Sequence, residues 1–479
     1  MSERSVSQFS ASEAHPEDSL SVEQHGVDVI PANERTSTLK DLFFVFVGSQ
    51  MCFGIIVIGS LPVTFGLSFW NSVTSITAGL LVGSMLFALL APFGARTGCS
   101  GSIASGAHFG VRGRVIGTAI AIFTGLGFTA LTVWTGGEAI ATAAARLWGW
   151  PITPNLLAVG AAIIGALVIL VALIGHSIIV ATERLVSYGV AAALVVVGIS
   201  LFSGFHPSYA GGTPLLGSVG STWFLSMAIA AALPVSYGIF LNDYTRYIPE
   251  DISSQKLMFA AGSGMFVGCW IALVFAAAVT TMFKAVDTPF VGGLVSMVAW
   301  WGVALLALVG IIGSQPQGSL CIYGAGLGLQ TLFPRLGRIG ATVVLSAVAM
   351  ALVFAGIYGV NMANMIIAFL ALDQCALAPW LVINLVGYRF VAKGRYQSAE
   401  LFRFGERAGG QYWFSSGWNV NGLIAWAIGL IVGLMFVHTD FFAGPLSNLV
   451  GGVSLEWVFA GAVGGLVFYV LEKRNGRIA

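Results

Sequence analysis

The chain has 479 residues, a formal net charge of +1, and 9% charged against 57% hydrophobic residues. An ordinary soluble domain carries about 25% charged residues, so this composition excludes a soluble globular protein, and the near-zero net charge offers nothing to a nucleic-acid partner. Repeated charge-free windows of about 20 residues are each long enough to cross a bilayer core as a helix. They predict an all-α polytopic membrane protein whose first partner is the lipid bilayer.

Residues 1–40 are polar, acidic in patches and rich in Ser. They lack the basic start and short apolar core of a cleaved signal peptide, and read as a retained, disordered cytoplasmic tail. Twelve apolar spans follow, near 41–66, 71–94, 115–145, 154–174, 178–203, 220–241, 257–282, 299–331, 338–356, 361–388, 420–438 and 452–472. Spans three and eight are too long for one upright crossing, which predicts tilt or extension past the membrane. Cations sort by side: Arg96, Arg112 and Arg114 follow span two, Arg246 and Lys256 follow span six, and Arg335 and Arg338 follow span eight. Arg389, Lys393, Arg395, Arg403 and Arg407 follow span ten, Lys473, Arg474 and Arg477 close the chain, and Arg146 and Lys284 fall on the other side. Cationic loops stay cytoplasmic, so both termini, including residues 473–479, are expected inside the cell's inner (plasma) membrane.

Two spans are interrupted. Span one contains GSQMCFG (48–54), with two glycines and two polar side chains at mid-membrane depth. Span six contains AALPVSYG (231–238), where Pro234 removes a backbone donor and Gly238 loosens the next turn. Freed backbone groups are tolerated in a membrane only where they face protein, water or ligand. Small residues also let helices pack closely, but interruptions five spans apart predict two inverted five-helix repeats with a site at the broken helices. The repeats are 41–203 and 220–388, with two further spans in 420–472.

Spans three and eight are equivalent under that repeat and carry the next signals. Phe128 and Thr132 lie four residues apart, on one helical face. GSQPQGS (313–319) places Ser314, Gln315 and Gln317 in an otherwise apolar helix, where each unpaired amide costs several kcal/mol, about 2–7. Gln315 and Gln317 are about 200° apart around the axis, so one pocket cannot hold both, whereas Ser314 and Gln317 can share a face. Glu183 opens span five beside Arg184. It is either a salt-bridged helix end or a carboxyl whose removal from water favours its protonated form. Glu138 and Asp373 are further carboxylates within spans. Asp243 and Arg246 close span six, as an inner gate or a structural ion pair. The histidines (His15, His25, His108, His176, His206, His438) are scattered, and the cysteines (Cys52, Cys99, Cys269, Cys321, Cys375) lack ligand spacing. Neither set predicts an enzyme or a metal site.

The chain resembles the nucleobase–cation symporter-1 family, and within it the purine–cytosine permeases. The likeness runs through EQHGVDVIPANERT (23–36), PVTFGLSF (62–69), FGARTG (93–98), HFGVRG (108–113), the TER of span five, DYTRYIP (243–249) and SQPQGS (314–319). It implies a leucine-transporter-type fold of ten core and two peripheral helices with alternating access, importing a small heterocyclic substrate such as cytosine, a purine or allantoin. It implies that Phe128 and Tyr237 sandwich the ring and that Thr132 and Gln317 read its edge, with Ser49 or Gln50 and Ser314 nearby. Smaller aromatics stand here for the tryptophans of many relatives, and Gly313 stands where purine–cytosine permeases often have asparagine, which leaves the particular ring open.

For the coupling ion, sodium-coupled members of the family use hydroxyls one turn before the polar cluster of span eight. ALVGII (307–312) offers none, while Glu183 matches a carboxylate linked to proton coupling in the resembled permeases. Proton symport without a bound cofactor is the expectation. Sodium coupling, or an amino acid or amine as cargo of the same fold, is the alternative. The sequence implies no oligomeric state.

Overall fold

A computed structural model describes residues 28–285, 288–359, 362–403, 410–439 and 441–478. Residues 1–27, most of the expected tail, and Arg407 lie outside the described residues. The remainder of that expected tail is packed rather than loose. Ile30 is buried and its N–H donates to Gly98 O at 3.0 Å. Arg35 donates to Ile30 O at 2.9 Å and Ala95 O at 3.0 Å, and Ser37 N–H donates to Tyr247 O at 3.0 Å. A guanidinium over the last carbonyls of a helix satisfies acceptors that have no partner within the helix. Gly98 has φ +67, and a β-carbon there would lie within van der Waals overlap of the Arg35 guanidinium, so a left-handed residue without a side chain is required.

Thr38 and Asp41 form a reciprocal cap on α1 (Leu39–Gly48). Residues 49–52 are not helical, and α2 (Phe53–Ile58) and α3 (Leu61–Thr64) continue at 63° to α1. Span two is α4 (Phe69–Ala88), prolonged by α5 (Ala91–Thr97). The short α6 (Gly101–Ala104) and α7 (Gly106–Phe109) lead to α8 (Val115–Trp148), α9 (Pro154–Ile174) and α10 (His176–Leu201). Span six is α11 (Val219–Tyr237) followed by α12 (Leu241–Thr245). Then come α13 (Ser254–Thr280), α14 (Phe290–Met297), α15 (Trp300–Leu332), α16 (Gly337–Gly359) and α17 (Met362–Val386). The last two are α18 (Val420–Phe436) and α19 (Glu456–Arg474).

Among the described residues nine helices are long and apolar enough to cross a membrane, and the bent first span makes ten. The shorter α18 and the charge-ended α19 complete the twelve predicted spans. At 1.5 Å per residue, α8 with 34 residues is about 51 Å long and α15 with 33 about 50 Å, both longer than a hydrocarbon core of roughly 30 Å. They pack along each other where glycines remove side-chain bulk: a β-carbon on Gly125 would meet Cys321 O and the Ala325 β-carbon at 2.7 Å. This close approach is the usual membrane alternative to a hydrophobic driving force. In α15, 72% of the apolar stretch is buried, against 33% in α9, which places α15 at the centre and α9 at the lipid boundary.

Candidate functional site

The first helix breaks where two glycines flank polar residues, and its neighbours explain the close fit. A β-carbon on Gly313 of α15 would stand 2.8 Å from Met51 O. A side chain at this position therefore has no room here. On the other side, Gly54 of α2 lets the chain lie against Leu131 and Thr132 of α8.

The second break is displaced from its predicted place. Pro234 sits inside α11, which continues to Tyr237, and the irregular turn occupies residues 238–240. Gly238 N–H donates to Val235 O, and Phe240 N–H to Tyr237 O, at 2.9 and 3.0 Å. Pro234 removes only the bond to a carbonyl one turn upstream, so the later N–H groups remain free to stay helical. Gly238 has an ordinary helical φ of −55, and its smallness serves packing against Leu90 and Leu381.

Tyr237, the last residue of α11, joins the two breaks. Its ring lies 5.1 Å from that of Phe128, tilted by 49°, and both are fully buried. Gln317 Nε2 donates to the Tyr237 hydroxyl at 2.5 Å, and its carbonyl oxygen touches the Cys52 thiol at the first break. The Thr132 hydroxyl is buried without a hydrogen-bond partner. Phe369 of α17, absent from the sequence-based set, stands edge-on to Phe128 at 5.4 Å and 83°.

Other predicted residues turn elsewhere. Gln50 donates to Ser49 at 2.9 Å and accepts from Cys269 of α13 at 3.5 Å, so this pair braces the break against α13 and does not reach the rings. The unpartnered Ser314 hydroxyl points at Gly136 of α8. Gln315 donates to Ser319 at 3.0 Å. Arg184 pairs with Asp41, leaving Glu183 fully buried with neither oxygen hydrogen-bonded and its carboxyl packed on Gly48, the last residue before the break. The salt-bridged reading of Glu183 is thereby removed. Asp243 accepts from Gly101 N–H at 3.3 Å, and the buried Arg246 donates to the hydroxyls of Tyr323 at 2.9 Å and Tyr247 at 3.3 Å. Both therefore lie within packed protein.

Sequence reasoning left Asp373 without a role, and the structure supplies its partners. One carboxyl oxygen accepts from Thr124, one turn before Phe128, at 2.5 Å; the other accepts from Ser236, adjacent to Tyr237, at 2.9 Å. Gln374 donates to Ser236 at 2.5 Å and to Ala232 O at 3.1 Å. A buried carboxyl on α17 thus ties together the two helices that bear the ring pair.

Two interrupted helices, bridged by Gln317 beside a buried aromatic pair inside a twelve-span bundle, define a secondary transporter of the leucine-transporter type, not an enzyme. Residues 29–460 match the family described as permease for cytosine/purines, uracil, thiamine, allantoin; the chain belongs to this nucleobase–cation symporter-1 family. The fold is similar to that of MHP1, a nucleobase-cation-symport-1 family transporter, in a closed conformation with bromovinylhydantoin bound. The TM-score is 0.70 at 16% identity, covering 97% of this chain and 96% of that one. A candidate purine-cytosine permease of Bacillus subtilis (strain 168), YxlA, is 25% identical over 461 residues, covering 95% of this chain and 96% of the relative. The purine-uracil permease NCS1 of Arabidopsis thaliana is 21% identical, covering 93% and 77%.

Proposed function

We propose that this transporter imports a nucleobase or related small heterocycle across the inner membrane by proton symport, with both termini cytoplasmic and residues 41–203 and 220–388 as its inverted repeats. The observation that carries the substrate class is the Phe128–Tyr237 pair tied to Gln317. A flat ring inserted between two rings needs about 7 Å, two contacts of roughly 3.5 Å. The observed 5.1 Å therefore has to open by about 2 Å. Opening releases the bond between Tyr237 and Gln317 and hands the amide to the edge of the incoming heterocycle, so the pocket exchanges one hydrogen bond for another. Stacking is indifferent to which base is held; the amide and the unpartnered Thr132 hydroxyl supply discrimination.

The proton reading rests on Glu183. Its buried carboxyl has no hydrogen-bond partner and abuts Gly48 at the end of α1, beside the bend of helix one. One turn before the polar cluster of α15, residues 307–312 (ALVGII) carry no hydroxyl, which leaves a sodium ion short of oxygen ligands. Uptake of labelled cytosine, adenine, hypoxanthine, allantoin and creatinine in a transport-deficient host tests the proposal. Saturable uptake of one of them, abolished by a protonophore and intact in sodium-free buffer, is expected. Absence of uptake for every heterocycle overturns the substrate class, and dependence on sodium overturns the coupling.

A further inference from the structure

A groove of about 540 Å³ runs between the first turns of α1 and α13. Its upper rim carries Lys40 and Lys256, the second residue of α1 and the third of α13. One turn deeper its walls are Phe43, Phe259 and Ala260, with the Phe259 side chain 77% exposed. Both lysines are exposed and neither has a carboxylate partner among the described residues. The nearest acid on α1, Asp41, is taken up by Thr38 and Arg184. Two helix N-termini meet at the same rim and add partial positive charge to it.

We propose that this groove binds an anionic phospholipid of the cytoplasmic leaflet. The phosphate lies between Lys40 and Lys256, and an acyl chain descends over Phe43 and Phe259. The order of chemistry along the groove is that of an amphiphile: cations at the level of a headgroup, then bare aromatic and apolar surface at the level of hydrocarbon. An acidic protein segment matches only the first part, because its backbone has no hydrogen-bond partners against phenyl groups in lipid. Cations beside a membrane surface attract acidic headgroups, and basic pockets between spanning helices select them. The lipid would sit on α1, the half-helix that precedes the 63° bend, and brace it against α13; its leaflet rests on the proposed cytoplasmic termini.

Native mass spectrometry of the purified full chain, titrated with dioleoyl phosphatidylglycerol or dioleoyl phosphatidylcholine, tests the site. Two lysine contacts predict a preference of about 30-fold for phosphatidylglycerol. A double substitution, Lys40→Gln with Lys256→Gln, is expected to bring binding down to the phosphatidylcholine level with an unchanged melting temperature. Lys393→Gln with Lys473→Gln, at the same membrane face, is expected to keep the preference. Equal loss in both doubles means bulk surface charge and overturns the site. So does equal competition by soluble glycerol phosphate, which has no chain to fill the groove, or absence of any preference in the unaltered protein. The readout does not depend on which substrate is carried.

Discussion

Replacing Phe128 with leucine removes a π-face while retaining most of the apolar volume. The side chain is fully buried between Tyr237 at 5.1 Å and Phe369 at 5.4 Å, so alanine would leave a cavity costing about 3–5 kcal/mol of stability. Leucine avoids most of that cost and isolates the stacking contribution. Base–aromatic stacking is worth about 1–3 kcal/mol, which converts to a loss of roughly 5- to 150-fold in affinity. Binding of the labelled substrate to membranes, normalised to the protein present by immunoblot, reads that loss directly. Affinity within about twofold of the unaltered protein (below the lower end of that range) would refute the sandwich, because the proposed ring plane is then not in contact with Phe128.

Glu183→Gln mimics the neutral acid permanently. Since protonation is favoured as pH falls, uptake by the unaltered protein is expected to rise in more acidic medium, and the variant is expected to lose that rise; an unchanged pH profile moves the proton elsewhere. Asp373→Ala and Ser236→Ala each break the same buried hydrogen bond, so their stability losses are expected to be non-additive, with a coupling of about 0.5–3 kcal/mol. Melting temperatures of the two single variants and the double variant measure it, and simple additivity would show that Asp373 does not hold Ser236 in place.

Local hydrogen-bonding demand made the membrane class, the twelve spans and the break at 48–54 legible in the sequence alone. Glycines and polar side chains in a hydrocarbon-length segment have few structural outcomes. The polar cluster of span eight was legible for the same reason, while helical spacing alone puts Phe128 and Thr132 on one face of span three. Tertiary packing decided the rest. It carried α11 through Pro234 and placed the break four residues later, at 238–240, and it packed residues 28–38 against the segments that close spans two and six. Rotation and depth of whole helices decided that Gln317 meets Tyr237 while Gln50 turns to Cys269 of α13. They also gave Asp373 partners 249 and 137 residues away in Thr124 and Ser236. A helix's own residues determine where its backbone bonds hold and which face is apolar. Which side chains meet across helices depends on how all twelve settle together, because in lipid the close fit of small residues, not hydrophobic burial alone, sets each helix's angle and height.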